Sequence, residues 1–195
     1  LYVPFVTLIS RFIFKSHLSW IIWTAVLLCL YGSYLLSSNQ SYEVQRSDAL
    51  LFVAALFFAI HIILVDVFMK KFYSPFTFSF CQYFIVFGCS LLVALFFENP
   101  TLLNIKNEWF EIIYTGVFSA GLGYTLQILA QSKADPAPAA IILSMESVFA
   151  TIAGWIILNQ MLDVNKILGC SAIFVGVILV QLLPLYAKNN VRKIN

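Results

Sequence analysis

The sequence predicts an all-α fold, a polytopic bundle of transmembrane helices. Of its 195 residues, 62% are hydrophobic and only 10% are charged. A water-soluble domain carries about 25% charged residues, so this chain has too few charges to cover a surface that faces water. Six apolar stretches have roughly the 20 residues that a helix needs to cross a hydrocarbon core of about 30 Å. They cover residues 18–36, 49–69, 73–97, 112–131, 137–158 and 167–187.

A seventh apolar stretch, at residues 1–14, is too short to span a bilayer. Because the chain begins inside this stretch, we expect it to be the end of a longer helix, with further helices upstream. Short polar segments with turn-forming residues separate the spans. In the last of them, Asp135 is placed to cap a helix whose first turn takes Pro136.

The distribution of lysine and arginine predicts the orientation. Seven consecutive helices place eight of the eleven basic residues on one side of the membrane and three on the other. Positive residues concentrate on the cytoplasmic side, so the sequence predicts a cytoplasmic C-terminus in a cell (inner) membrane. The three basic residues predicted outside are Arg46, Lys106 and Lys166.

Two helices share a weak internal repeat. Leu18 matches Leu162, Ala25 matches Gly169, and Gly32 matches Gly176, all at an offset of 144 residues. The matching helices are the second and the seventh, and an odd separation reverses the direction of a helix across the bilayer. Inverted repeats of this kind are typical of secondary transporters, whose substrate site lies near the midplane.

Two stretches resemble a known family. The sequence Ala-Ala-Ile-Ile-Leu-Ser-Met-Glu-Ser-Val-Phe-Ala at 139–150 and the sequence Phe-Ser-Ala-Gly-Leu-Gly-Tyr at 118–124 are similar to the EamA domain of the drug/metabolite transporter superfamily. The resemblance departs from the family pattern at Ser147, where a proline usually follows the glutamate, and at Asn159-Gln160, where Gly-Glu is usual.

The resemblance implies ten helices in two inverted repeats of five, of which about seven are present. Residues 1–36 would end the first repeat, 37–47 would be an extracytoplasmic linker, 48–183 the second repeat, and 184–195 a cytoplasmic tail. It also implies a secondary transporter, an exporter or exchanger of small organic metabolites or drug-like compounds that works by alternating access.

Ionisable groups inside the bilayer are costly, which makes them candidate functional residues. Glu146 lies about 13 Å from the predicted inner end of its helix, at 1.5 Å per residue. His61, Gln82 and Tyr124 reach the same depth on three other helices. The four side chains would form one polar layer that binds a polar solute, with Glu146 also binding a cation or a proton or pairing with a substrate amine.

Each candidate also has a purely structural interpretation. Glu146 could be neutral and bonded to neighbouring helices, and His61, Gln82 and Tyr124 could each serve packing alone. Gln127 continues the face of Tyr124, and Trp155 lies far enough from the helix ends to line a cavity. Asp66, four residues before Lys70, favours an ion pair.

Other functions are less well supported by the sequence. A membrane enzyme would need a cluster of catalytic or metal-binding residues, and the two histidines lie far apart in the sequence. A non-transporting receptor or assembly subunit remains the alternative to a transporter. The expected partners are a small-molecule substrate, a proton as coupling ion and the lipid bilayer. We expect no nucleic acid, no metal and no cofactor.

Overall fold

The computed structural model describes residues 2–14, 18–37, 46–98 and 101–192, and within these ranges every regular element is helical. The helices are α1 (Tyr2–Phe14), α2 (Trp20–Ser37), α3 (Arg46–Phe72), α4 (Pro75–Phe97), α5 (Leu102–Asn107), α6 (Trp109–Ile113), a π-helical segment (Tyr114–Tyr124), α7 (Thr125–Gln131), α8 (Pro136–Leu143), α9 (Met145–Leu158) and α10 (Val164–Arg192). The predicted all-α class is confirmed. Most of the predicted linker at 37–47 lies outside the described residues.

Six helical stretches of the described chain are long and apolar enough to cross a membrane. They are Trp20–Ser37, Ala49–Phe72, Pro75–Phe97, Trp109–Gln131, Pro136–Leu158 and Val164–Leu182. Each begins within one helical turn of the predicted start, and a shorter apolar helix (Tyr2–Ile13) precedes them. Many of their large side chains are exposed, among them Phe80, Phe96 and Phe97. The chain is therefore a multi-pass membrane protein whose outer surface is suited to lipid.

The described chain forms two compact units. The first comprises residues 1–64 and 135–195, and the second comprises residues 65–134. In the first unit a buried cluster joins α1, α2, α8, α9 and α10, with Val26, Ile141 and Ile173 among its members. A second cluster joins α1, α3 and α8 through Val6, Ile62 and Ala140.

The close contact of α2 with α10 depends on glycine. A Cβ atom added to Gly32 would lie 2.6 Å from the carbonyl oxygen of Gly169, and one added to Gly169 would lie 2.8 Å from that of Gly32. At Gly176 the corresponding distance to the carbonyl oxygen of Ala25 is 3.1 Å. Residue 32 thus pairs with 169 and residue 25 with 176, so the two helices run antiparallel. In lipid, where burial adds no hydrophobic gain, close backbone approach of this kind provides the packing energy that holds helices together.

The second unit contains the end of α3, then α4 to α6, the π-helical segment and α7. Val65, Met69 and Ile128 form its buried cluster, and Phe78 packs against them. The predicted pair of Asp66 and Lys70 is confirmed, since Lys70 Nζ lies 2.9 Å from Asp66 Oδ2. The buried carboxylate of Asp66 is therefore paired within its own helix.

Three glycines of the second unit do not lie at a helix crossing among the described residues. Small residues such as Gly116, Gly121 and Gly123 usually let a membrane helix pack closely against another. A Cβ at Gly116 would meet nothing within 4 Å, and at Gly121 and Gly123 it would approach only carbonyl oxygens of the same segment. These glycines lie in the π-helical segment, whose wider turn, and not a helix crossing, accounts for their surroundings.

The crossing of α2 and α10 gives the first prediction. Gly32→Ala places a methyl group against a backbone carbonyl that cannot rotate away, so we expect a loss of about 1–3 kcal/mol of stability. Thermal unfolding in detergent, followed by intrinsic fluorescence, should show a lower Tm.

Gly88→Ala is the matched control, because a Cβ there would meet nothing within 4 Å. The same substitution in that helix should be neutral or slightly stabilising. Equal Tm values for the two variants would contradict the tight crossing.

Candidate functional site

The candidate site in the first unit lies at a tight turn between α8 and α9. Ser144 joins the two helices with a right-handed backbone (φ −62°, ψ −14°), and its N–H lies 3.2 Å from the Ala140 carbonyl oxygen and 3.1 Å from that of Ile141. The Ser144 hydroxyl donates to the Ile141 carbonyl oxygen at 2.5 Å and lies 3.4 Å from Cys29 Sγ of α2. The sequence did not predict this turn, because residues 139–153 contain neither glycine nor proline.

Glu146 lies in the first turn of α9, directly after the tight turn at Ser144. Its neighbours Met145 and Val148 pack into the core of the unit, whereas the Glu146 side chain is exposed. An acidic group inside a membrane span is thus held at the surface of its unit and is not buried among the packed helices.

Tyr2 packs between the surroundings of Glu146 and those of His61. It contacts both the buried cluster that includes Val148 and the one that includes Ile62. The Tyr2 ring meets Phe58 edge-on, with ring centroids 4.9 Å apart, and Phe58 stacks on His61 at 6.0 Å. Two of the predicted site residues thus belong to one neighbourhood of the first unit, with Tyr2 between them.

Trp155 lies away from that neighbourhood. It is nine residues beyond Glu146 on α9, which places it on the opposite face and about 13 Å along the axis. The indole is half exposed and lines a cavity near the end of the helix. The prediction that Trp155 lines a cavity is consistent with this position, but the cavity does not include Glu146.

The other three predicted site residues belong to the second unit. Tyr124 ends the π-helical segment and is 37% exposed. Gln82 on α4 and Gln127 on α7 are half-buried, and Gln127 Nε2 is a buried donor with no partner among the described residues. The predicted layer of His61, Gln82, Tyr124 and Glu146 draws on both units, so that layer stays a prediction.

The π-helical segment is anchored by a tyrosine that the sequence analysis missed. The Tyr83 hydroxyl of α4 lies 3.0 Å from the Ala120 carbonyl oxygen and 2.9 Å from Thr125 Oγ1. The Thr125 hydroxyl donates to the Gly121 carbonyl oxygen at 2.6 Å. Where π-helical bonding returns to α-helical bonding, one carbonyl oxygen loses its backbone N–H donor. In lipid no water molecule can take the place of that donor. Tyr83 and Thr125 supply the missing contacts just before Tyr124.

Neither Tyr2 nor Tyr83 carried a sequence signal strong enough to identify it. The chain has nine tyrosines, and most of those in a membrane protein serve packing or anchor helices at the interface. The nearest indication for Tyr83 was its position beside Gln82. Its partners lie 37 to 42 residues away in the sequence, so only the tertiary contact shows its role.

The contact of Tyr83 gives the second prediction. Tyr83→Phe keeps the ring and removes the hydroxyl that contacts the Ala120 carbonyl oxygen and Thr125 Oγ1, at a cost of about 1–3 kcal/mol. We expect faster amide hydrogen exchange across residues 114–125, measured by mass spectrometry in detergent, and a lower Tm.

Tyr114→Phe is the control within the same segment, because the Tyr114 ring is exposed and stacks on Phe110 and Phe118. This variant should leave the exchange unchanged. Exchange in Tyr83→Phe that matches the wild type would show that the phenol does not hold the segment.

Comparison with known proteins places this chain among membrane transporters. It is 28% identical over 181 residues to an uncharacterized transporter of Archaeoglobus fulgidus, covering 93% of this chain and 58% of that protein. It is 30% identical over 107 residues to a WAT1-related protein of Arabidopsis thaliana, covering 53% of this chain and 27% of the plant protein. An auxin-induced protein of Pinus taeda is 27% identical over 93 residues, covering 46% of this chain and 23% of that protein.

The chain therefore spans less than two thirds of the length of each of these relatives. No solved structure matches it. Residues 45–182, most of the chain, match the EamA-like transporter family. This range includes the span that carries Glu146 and the π-helical segment anchored by Tyr83. The chain belongs to the EamA-like transporter family.

Proposed function

We propose that this protein is a secondary transporter that exports or exchanges small organic metabolites or drug-like compounds by alternating access. Transport would proceed around a polar cavity near the bilayer midplane, lined by Glu146, His61, Tyr124, Gln82 and Gln127. Membership of a transporter family supports transport in general. The substrate class, the direction and the cavity are proposed here.

The position of Glu146 carries the proposal. A carboxylate in the middle of a span costs several kcal/mol if it faces acyl chains, yet Glu146 is exposed on the surface of its unit. A water-filled cavity opposite α9 removes this cost, because the carboxylate then stays hydrated.

Contacts between α2 and α10 support the proposed pair of inverted repeats. The sequence repeat has an offset of 144 residues, which makes Ala25 equivalent to Gly169 and Gly32 equivalent to Gly176. If a twofold axis relates the two repeats, every contact between them should recur with each residue replaced by its equivalent. The contact of Gly32 with Gly169 then predicts a contact of Gly176 with Ala25, and both contacts are present. On this basis, residues 1–36 would end one repeat and 48–183 would form the other.

The proton is the proposed coupling ion, with Glu146 as the group that binds it. Tyr2, which packs between the surroundings of Glu146 and those of His61, joins the proposed site as a positioning residue. Protonation of Glu146 would remove a negative charge from the start of α9 and so favour one conformation of the transporter over the other.

The proposed orientation gives a third prediction. The excess of lysine and arginine on one side predicts a cytoplasmic C-terminus. A reporter that fluoresces only in the cytoplasm should be active when fused after Asn195, and alkaline phosphatase at the same position should be inactive. Active phosphatase at that position would contradict the predicted cytoplasmic C-terminus.

The fourth prediction concerns Glu146. Glu146→Gln keeps the size and polarity of the side chain but removes the proton-binding group. In proteoliposomes we expect proton-driven flux of whichever compound a metabolite panel identifies to fall to background, while the purified protein keeps its size-exclusion profile and Tm.

Glu98→Gln is the matched control, because Glu98 is an exposed carboxylate at the end of α4. That variant should transport normally. Retained substrate exchange without proton-driven flux in Glu146→Gln would assign the coupling role specifically, and normal flux in both variants would refute it.

A further inference from the structure

A cavity at the junction of α9 and α10 is separate from the proposed transport site. It has a volume of about 400 Å³ and lies within the first unit. Its wall comes from the last turns of α9, from the connection that follows and from the start of α10, with Leu36 of α2 at one side. Glu146 is not among the residues that line it.

The turn after α9 creates the cavity. Asn159 adopts the left-handed conformation (φ 51°, ψ 31°), and the backbone N–H of Gln160 donates to the Gly154 carbonyl oxygen at 3.2 Å. This arrangement ends a helix and folds the chain back against it. The side chain of Gln160 then packs onto Gly154, where a Cβ atom would lie 2.9 Å from its Oε1. The amide group of Gln160 is thereby held in the wall of the cavity.

Lys166 is the charged side chain of the cavity wall. The lysine is half-buried, and its Nζ donates one hydrogen bond to the Met161 carbonyl oxygen at 2.9 Å. An ammonium group has three donors, so this contact orients the group and leaves further donors. Asp163 does not line the cavity, and its Oδ1 accepts the backbone N–H of Lys166 at 3.0 Å. Lys166 therefore supplies the cation of the wall, and Met161 orients it.

An apolar surface lies next to this cation. The indole of Trp155 is 51% exposed, and Leu36 and Leu162 line the same cavity. Thr151 adds a hydroxyl whose hydrogen is already donated to the Ser147 carbonyl oxygen at 2.8 Å. A flat apolar body would pack on the indole while its charged end meets Lys166. Cavities of a few hundred Å³ with this mixture of apolar wall and few polar groups are typical of small-molecule sites.

We propose that the cavity bounded by Trp155, Gln160 and Lys166 is a binding site for an amphipathic anion, with the charged group on Lys166 and the apolar body on Trp155. An organic acid and the headgroup of an anionic lipid share this chemistry. The site does not depend on the proposed transport function, because binding there is measured at equilibrium and does not involve Glu146.

The test uses full-length protein in nanodiscs of phosphatidylcholine with three ¹⁹F NMR probes: 4-fluorobenzoate, 4-fluorobenzyl alcohol and 4-fluorobenzylamine. Empty nanodiscs give the background from partition into lipid. We expect the benzoate to bind more tightly than the alcohol or the amine. Lys166→Gln should weaken benzoate binding about tenfold, as expected for loss of a charged hydrogen bond.

Lys106→Gln is the matched control, since it removes a positive charge from an exposed lysine of the second unit, and it should leave binding unchanged. Ala150→Phe fills the cavity without changing its charge and should also abolish benzoate binding. The proposal is overturned if the alcohol binds as tightly as the benzoate, if Lys166→Gln binds like the wild type, or if Ala150→Phe has no effect.

Native mass spectrometry distinguishes the two natural sources of the anion. Protein purified with phosphatidylglycerol should retain one more lipid than Lys166→Gln does if a lipid headgroup occupies the cavity. Equal lipid counts, together with benzoate binding that depends on Lys166, assign the site to a soluble organic acid.

Discussion

The absence of water in the hydrocarbon core is the constraint on which the features of this protein depend. Inside lipid, each backbone group that leaves regular α-helical bonding needs a partner from the protein itself. Both interruptions of the membrane spans meet this requirement. At Ser144, the residue's own hydroxyl bonds to the Ile141 carbonyl. In the π-helical segment, Tyr83 and Thr125 supply the contacts at its carboxyl end.

These interruptions coincide with the residues to which we assign function. Glu146 follows one of them, and Tyr124 ends the other. A fully regular helix would have neither the tight turn before Glu146 nor the π-helical bonding before Tyr124. The polar groups that stabilise an irregular backbone thus also create the local conditions in which an ionisable side chain tolerates a membrane environment.

The sequence alone was sufficient to predict the membrane spans, because these depend on local composition. The lengths and starts of the six spans follow from runs of apolar residues, and Pro136 marked the beginning of α8, where Asp135 holds the N-cap position with its backbone. The ion pair of Asp66 with Lys70 was predictable because it is local. The same reasoning identified Glu146 as the ionisable residue of its span.

What the sequence could not supply depends on contacts between distant segments. The tight turn at Ser144 and the π-helical segment could not be predicted from the pattern of apolar residues, because apolar residues surround both. Tyr83 acts through partners on another helix, and Tyr2 through an aromatic contact with Phe58. Nor does the presence of glycines at 116, 121 and 123 reveal the π-helical bonding, because small residues in a membrane helix usually serve helix packing.

The contact between Gly32 and Gly169 also restricts how this protein can diverge. When two side chains collide in a core, a smaller residue on the opposite side can often restore the fit. Here the obstacle on each side is the carbonyl oxygen of the other helix, and no replacement of the partner residue removes a carbonyl. A larger residue at either position would therefore have no single compensating substitution across the interface. Each position has to remain glycine on its own account, and covariation between them would not reveal that they touch.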